Sequence, residues 1–83
     1  MFRIERTGKG TGALALLDVS TNAGATELAK RTLQCTELPI GRYAYVPLRF
    51  VTDGSAIETR VMWLGGAPLH IDCVDVWRVP ANK

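Results

Sequence analysis

Residues 42–64 read Arg-Tyr-Ala-Tyr-Val-Pro-Leu-Arg-Phe-Val-Thr-Asp-Gly-Ser-Ala-Ile-Glu-Thr-Arg-Val-Met-Trp-Leu. Asp53-Gly54 lies between two segments in which apolar and polar residues alternate. An Asp-Gly pair in this setting is typical of a tight β-hairpin, because a type I′ turn needs positive φ at both central residues. We therefore predict a hairpin in which Thr52 faces Ser55.

The predicted hairpin register separates apolar from charged side chains. The pairs on the apolar face are Phe50–Ile57, Leu48–Thr59, Val46–Val61 and Ala44–Trp63. On the opposite face Arg49 lies across from Glu58, and such cross-strand pairs contribute roughly 0.2–1 kcal/mol each. A shift by one residue would move every side chain to the wrong face, so the pattern favours this pairing.

Two strands are predicted before the hairpin. Residues 2–6 alternate apolar with charged, which is typical of a half-buried strand. Residues 13–19 are almost all apolar, and turn residues on both sides favour a buried strand over the helix that Ala and Leu would otherwise prefer. The glycines of the intervening loop 7–12 match neither the phosphate-loop nor the dinucleotide-binding spacing. We interpret this loop as a flexible hairpin loop rather than an anion-binding loop.

A helix is predicted over residues 23–34. Ser20, Thr21 and Asn22 supply candidate N-cap residues, and Pro39 ends the segment because it cannot be accommodated inside a helix. One face of this helix would be apolar, through Ala25, Leu28, Ala29, Thr32 and Leu33.

The last predicted strand covers residues 69–79, and a frayed tail follows at 80–83. Its apolar alternation changes phase, and a β-bulge near 72–74 would reconcile the two phases. The predicted order is therefore β-β-α-β-β-β. We expect a single α+β domain over residues 1–83, a small two-layer fold with a mainly antiparallel sheet and one helix packed on one face.

Composition narrows the class of protein. The chain has 83 residues, 47% of them apolar, and a net charge of only +2. So large an apolar fraction in so small a domain predicts surface that a partner or a second copy covers. Two cysteines, Cys35 and Cys73, suffice for neither a disulfide framework nor a zinc site. The N-terminus has no apolar signal region, so we expect a complete, cytoplasmic reading frame with no membrane segment.

The chain offers little material for catalysis. His70 is the single histidine, and with Asp72 it supplies two metal ligands from one strand, too few for a closed site. His70 and Cys73 would point to opposite faces of a regular strand. We therefore expect no enzyme, no cofactor and no metal.

The outer face of the predicted hairpin is the candidate functional surface. Aromatic, Met and Arg side chains are enriched in protein interfaces, and this face carries Tyr43, Tyr45, Arg49, Arg60 and Met62. The sequence predicts a protein-interaction module, an adaptor or inhibitor of the kind that a phage or other mobile element encodes, with a homodimer as one form of the contact.

Two other interpretations of the same face stay open. Aromatics interleaved with Arg also bind single-stranded nucleic acid, here through Arg3, Arg6, Lys9, Tyr43, Tyr45 and Arg49. In the other interpretation, the aromatic residues are present because they favour β-structure, and the face has no function.

Overall fold

The computed structural model describes residues 1–77, and these residues form almost entirely β-structure. The only helical element among them is a single 3₁₀ turn, Cys35–Glu37. The six strands are β1 Phe2–Arg6, β2 Ala13–Thr21, β3 Thr26–Gln34, β4 Tyr43–Val46, β5 Ile57–Trp63 and β6 Leu69–Val74.

The strands form two three-stranded antiparallel sheets over a common core. The β1 sheet has the order β4-β1-β6, and the β2 sheet has the order β3-β2-β5. Both sheets contribute fully or almost fully buried side chains to one cluster, including Phe2, Ile4, Leu14, Leu17, Leu33 and Val46. The fold is therefore two packed β-layers.

The predicted α+β fold is wrong, because the segment expected to form a helix is a strand. Residues 22–25 make a tight turn, with φ of 55° at Asn22, 55° at Ala23 and 88° at Gly24. The chain then returns as β3, antiparallel to β2. The backbone of β2 is buried and needs hydrogen-bond partners on both sides. Pairing in the sheet therefore outweighs a helix propensity that is worth only a fraction of a kcal/mol per residue.

The predicted hairpin is also wrong. β4 pairs with β1, whereas β5 pairs with β2, so residues 47–56 connect two different sheets. The chain does bend there, and Asp53 Oδ1 accepts the Ser55 backbone N–H at 2.9 Å. Gly54 has φ of 100° but Asp53 does not have positive φ, so the predicted type I′ turn does not form. Pro47 follows β4 directly and has no N–H to donate, so a long paired ribbon cannot extend through it.

Other predictions are confirmed. Strands occur at 2–6 and over 13–19, and the bulge in the last strand lies at Asp72. There the partners of Arg3 and Ile4 are Cys73 and Ile71, which leaves one extra residue between them. The last strand ends at Val74, so its predicted continuation over 75–77 is wrong. The predicted strand end at 78–79 and the tail at 80–83 lie outside the described residues.

The glycine loop 7–12 is not a hairpin loop, because β1 and β2 belong to different sheets. It packs instead on the 64–68 turn. A Cβ on Gly10 would overlap the carbonyl oxygen of Gly66, and one on Gly66 would lie 2.7 Å from Cys35 Sγ. Glycine is therefore needed here for close backbone approach.

Candidate functional site

The two tyrosines of β4 lie on the outer face of the β1 sheet, beside Arg3. The Arg3 guanidinium carbon is 4.2 Å from the Tyr43 ring centroid and 5.8 Å from that of Tyr45. Arg3 also forms a 2.7 Å ion pair with Asp72. This hydrogen bond raises the pKa of Arg3 above its already high value, so the cation stays charged. Because Asp72 neutralises it, the face presents exposed aromatic surface with little free charge, and Tyr45 is 57% exposed.

The structure separates the five residues predicted for partner binding. Tyr43 and Tyr45 lie on the outer face of the β1 sheet, while Arg60 and Met62 lie on the outer face of the β2 sheet. Arg49 is exposed in the connection 47–56. These residues do not form one continuous face, because the hairpin that would have joined them does not form.

The N-terminal cations of the nucleic-acid alternative also diverge. Arg6 turns inward and donates from Nη2 to the carbonyl oxygen of Leu38 at 2.8 Å, and its Nε is buried without a partner among the described residues. Lys9 is exposed in the loop 7–12. Arg3 is already paired with Asp72. The three side chains therefore do not line one cationic track.

One side of the two-layer fold is closed. Arg31 of β3 donates from Nη2 to Glu37 at 2.6 Å and from Nη1 to the carbonyl oxygen of Pro47 at 3.2 Å. Leu38 and Cys35 fill the space beneath, both fully or nearly fully buried. The chain after β3 therefore covers the side of the fold at which β3 and β4 are the edge strands.

The side formed by β5 and β6 is open. Ile71 faces the same side as the fully buried Ile4, its partner in the sheet, yet Ile71 is 42% exposed. Trp63 lies opposite the fully buried Ala15 and is 60% exposed. Residues of β5 and β6 that face the core side therefore reach solvent. Among residues 1–77, no segment packs over them in the way that Leu38 packs over the side of β3 and β4.

Trp63 is the centre of an apolar surface here. Its Nε1 donates to the carbonyl oxygen of Ala67 at 2.9 Å, so the indole has a fixed orientation. Trp63, Pro68 and Leu69 line a shallow cavity of about 400 Å³. Met62 is also exposed (59%), but its side chain lies on the opposite face of β5. We call Trp63, Pro68 and Leu69 the Trp63 surface.

Sequence reasoning missed the Trp63 surface because it placed Trp63 beneath a helix. Only a general feature of the sequence pointed to this surface: 47% of the residues are apolar, which is more than one small core can bury. Pro68 and Leu69 follow Trp63 closely in sequence, but the exposure of all three residues depends on what covers β5 and β6.

The remaining polar groups give no reactive site in the part of the chain described. Cys35 is buried and Cys73 half-buried, and both are free thiols. Loss of hydration, helped by the nearby carboxylates of Asp75 and Asp72, raises the pKa of the Cys73 thiol. A thiol with a raised pKa is a poor nucleophile at neutral pH. His70 Nδ1 lies 3.4 Å from Glu5 Oε1, and the His70 side chain is exposed whereas that of Glu5 is largely buried.

Across residues 1–77, no three His, Cys, Asp or Glu side chains come together as metal ligands. In the same range, no helix has the length and apolar character to span a membrane. No protein-family model, curated protein or solved structure matches the chain.

Proposed function

We propose that this chain is a non-enzymatic protein-interaction domain that binds another protein through the Trp63 surface. The observation that carries the proposal is Trp63 itself, a core-side residue that is 60% exposed and held in one orientation by its bond to Ala67. Tryptophan is highly buried on average in proteins, and it is enriched among the residues that contribute most to protein binding.

Burial of Trp63 against a partner would give the binding free energy of a strong contact residue. A tryptophan side chain buries roughly 150–250 Å² when fully covered. Covering the exposed 60% therefore yields about 2–4 kcal/mol at 25 cal/mol per Å². The indole loses little conformational freedom on binding, because its hydrogen bond to Ala67 already orients it.

A small domain that binds through such a surface would act as an adaptor or as an inhibitor. The cytoplasmic location and the origin in a phage or other mobile element stay predictions from the sequence. The exposed Tyr45 face is a second contact region on the β1 sheet, separate from the Trp63 surface.

Single-stranded nucleic-acid binding also stays a prediction. It has less support, because Arg3 is paired with Asp72 and Arg6 turns toward Leu38. Affinity for nucleic acid depends on free cations that release counterions from phosphates.

Affinity capture from a lysate of the source cells, with and without nuclease, tests the proposed function. Wild-type protein is compared with Trp63→Ala, Pro68→Glu and the control Val51→Ala, whose side chain is exposed in the connection 47–56. We expect a protein that survives nuclease treatment to be captured by wild type and Val51→Ala. Its Kd should rise about thirty-fold or more for Trp63→Ala, the equivalent of 2 kcal/mol.

Circular dichroism and urea midpoints establish that each variant is folded. Pro68→Glu keeps Trp63 intact and introduces a charge into the same surface, so it covers the case in which Trp63→Ala unfolds. Equal capture by all variants would contradict the proposal. A capture that disappears with nuclease would favour the nucleic-acid alternative.

A further inference from the structure

The outer edge of β5 has free backbone hydrogen-bonding groups. Leu64 donates its backbone N–H to the carbonyl oxygen of Leu14 at 2.8 Å. In an antiparallel pair, residues bonded to the partner strand recur at every second position. The even-numbered residues of β5 therefore bond to β2, while the odd-numbered residues direct their N–H and C=O groups away from it. Within residues 1–77, no strand pairs with that edge.

The other three sheet edges carry features that block pairing with another strand. β4 has only four residues and ends before Pro47. β6 has a bulge at Asp72. β3 has a register irregularity and places the charged Arg31 opposite the buried Leu17, on the core side. Short strands, proline, bulges and inward-facing charge are the known means of protecting a sheet edge.

β5 has none of these protections. It is seven residues long, contains neither Gly nor Pro, and keeps an unbroken register with β2 from Ile57 to Trp63. Its core-side residues carry no charge, and its two charged residues, Glu58 and Arg60, lie on the outer face. An edge of this kind pairs readily with another strand.

We propose that β5 pairs antiparallel with β5 of a second copy of this chain, about a two-fold axis at Thr59. This register sets Glu58 opposite Arg60 of the partner subunit, and the symmetry makes that pair twice. On the core side it sets Ile57 opposite Val61 of the partner subunit, also twice. The two copies then form one six-stranded sheet.

Charge complementarity selects this register over its neighbours. An axis at Arg60 or at Glu58 would set like charges directly opposite each other, which is destabilising. An axis at Val61 would set Arg60 opposite Met62 and Glu58 opposite Leu64, without any charge pair. Within the described residues Glu58 has no ion-pair partner, and Arg60 uses its Nε for Asp18 at 2.8 Å while half of its side chain is exposed.

The dimer goes beyond the proposed function and does not depend on it. It uses the backbone edge over Ile57–Val61, whereas Trp63 lies beyond the paired residues and stays accessible to another protein. The two sites can therefore be tested separately.

Sedimentation velocity of the full chain over a range of concentrations tests the dimer. We expect a monomer–dimer equilibrium for wild type, and a dissociation constant about tenfold or more higher for Glu58→Arg, because two attractive pairs become two repulsive ones. The control Glu27→Arg makes the same charge change on β3, where the side chain is also exposed. A wild-type monomer at every concentration, or equal effects of the two variants, would overturn the proposal.

Disulfide trapping tests the register in a Cys73→Ser background, in which the buried Cys35 stays protected. At the axis, the two copies of a Thr59→Cys variant have Cα atoms about 5.5 Å apart, within the range that a disulfide bridges. The two copies of a Met62→Cys variant are about 20 Å apart, since each lies three residues from the axis. Mild oxidation should link the first variant and not the second, and the opposite result would refute the register.

Discussion

Replacing Gly10 by alanine should destabilise the fold strongly. The Cβ of the new residue would overlap the carbonyl oxygen of Gly66 and lie 2.6 Å from the Cβ of Ala67. Both obstacles belong to the backbone or to a side chain without rotatable bonds. The clash is therefore relieved only by moving the 64–68 turn away from the loop 7–12.

The magnitude follows from the cost of overpacking, which is typically about 1–3 kcal/mol. We expect the upper end of that range, because no rotamer change relieves the contact. Restricting the unfolded chain returns about 0.4–1 kcal/mol. The net loss in the free energy of unfolding is therefore about 2–3 kcal/mol, and in a domain of this size it lowers Tm by about 10–20 °C.

Thermal and urea unfolding followed by circular dichroism measure this loss. Gly8→Ala is the matched control in the same loop, because a Cβ there would meet only Pro68, at 3.4 Å. The control should change stability by less than about 0.5 kcal/mol, as ordinary surface substitutions do. Equal stability of the two variants would show that the two loops do not pack as described.

Two further predictions concern titratable groups. The backbone N–H of Gln34, together with Arg31, holds the pKa of Glu37 below its ordinary value of 4.5. The ionised Glu37 therefore stabilises the fold above pH 4.5, and this contribution is lost as the pH falls through the lower pKa of the folded state. Urea midpoints should fall less steeply below pH 4.5 for Glu37→Gln than for wild type, and parallel curves would contradict this. Partial burial raises the pKa of Cys73, so we expect it to react with a thiol reagent at pH 8 more slowly than free cysteine and to accelerate in urea. A native rate equal to that of free cysteine would refute the second prediction.

The strands and the bulge were predictable because they depend on local patterns. Alternation over residues 2–6 identified β1, and a change of phase in the last strand identified the bulge at Asp72. The chain also bends at Asp53-Gly54, but not as the type I′ turn that a hairpin would have needed, because Asp53 does not have positive φ. Which strands lie on either side of a turn is a different question, because alternation assigns a face to a strand but names no neighbour.

The errors arose where two patterns coexist in one segment. Residues 25–33 show apolar residues at helical spacing, yet Ala29 and Leu33 also lie at alternate core-side positions of β3, with the charged Arg31 between them. The buried β2 strand decided between the two by requiring a hydrogen-bonded neighbour on that side. The Trp63 surface was missed for a similar reason, since the exposure of Trp63 depends on distant segments that do or do not cover it.

The pairing of β1 has a consequence for how the protein is synthesised. β1 precedes the other five strands in the chain, yet its two neighbours are β4 and β6, and the backbone N–H of Asp75 bonds to the carbonyl oxygen of Met1 at 2.8 Å. The β2–β3 hairpin can form as soon as its own residues emerge, because its contacts are local. The nascent chain therefore exposes Phe2 and Ile4 until nearly all of the domain has been made. The sheet around β1 is complete only after β6 has been synthesised, and chaperone contact with Phe2 and Ile4 is expected in the meantime.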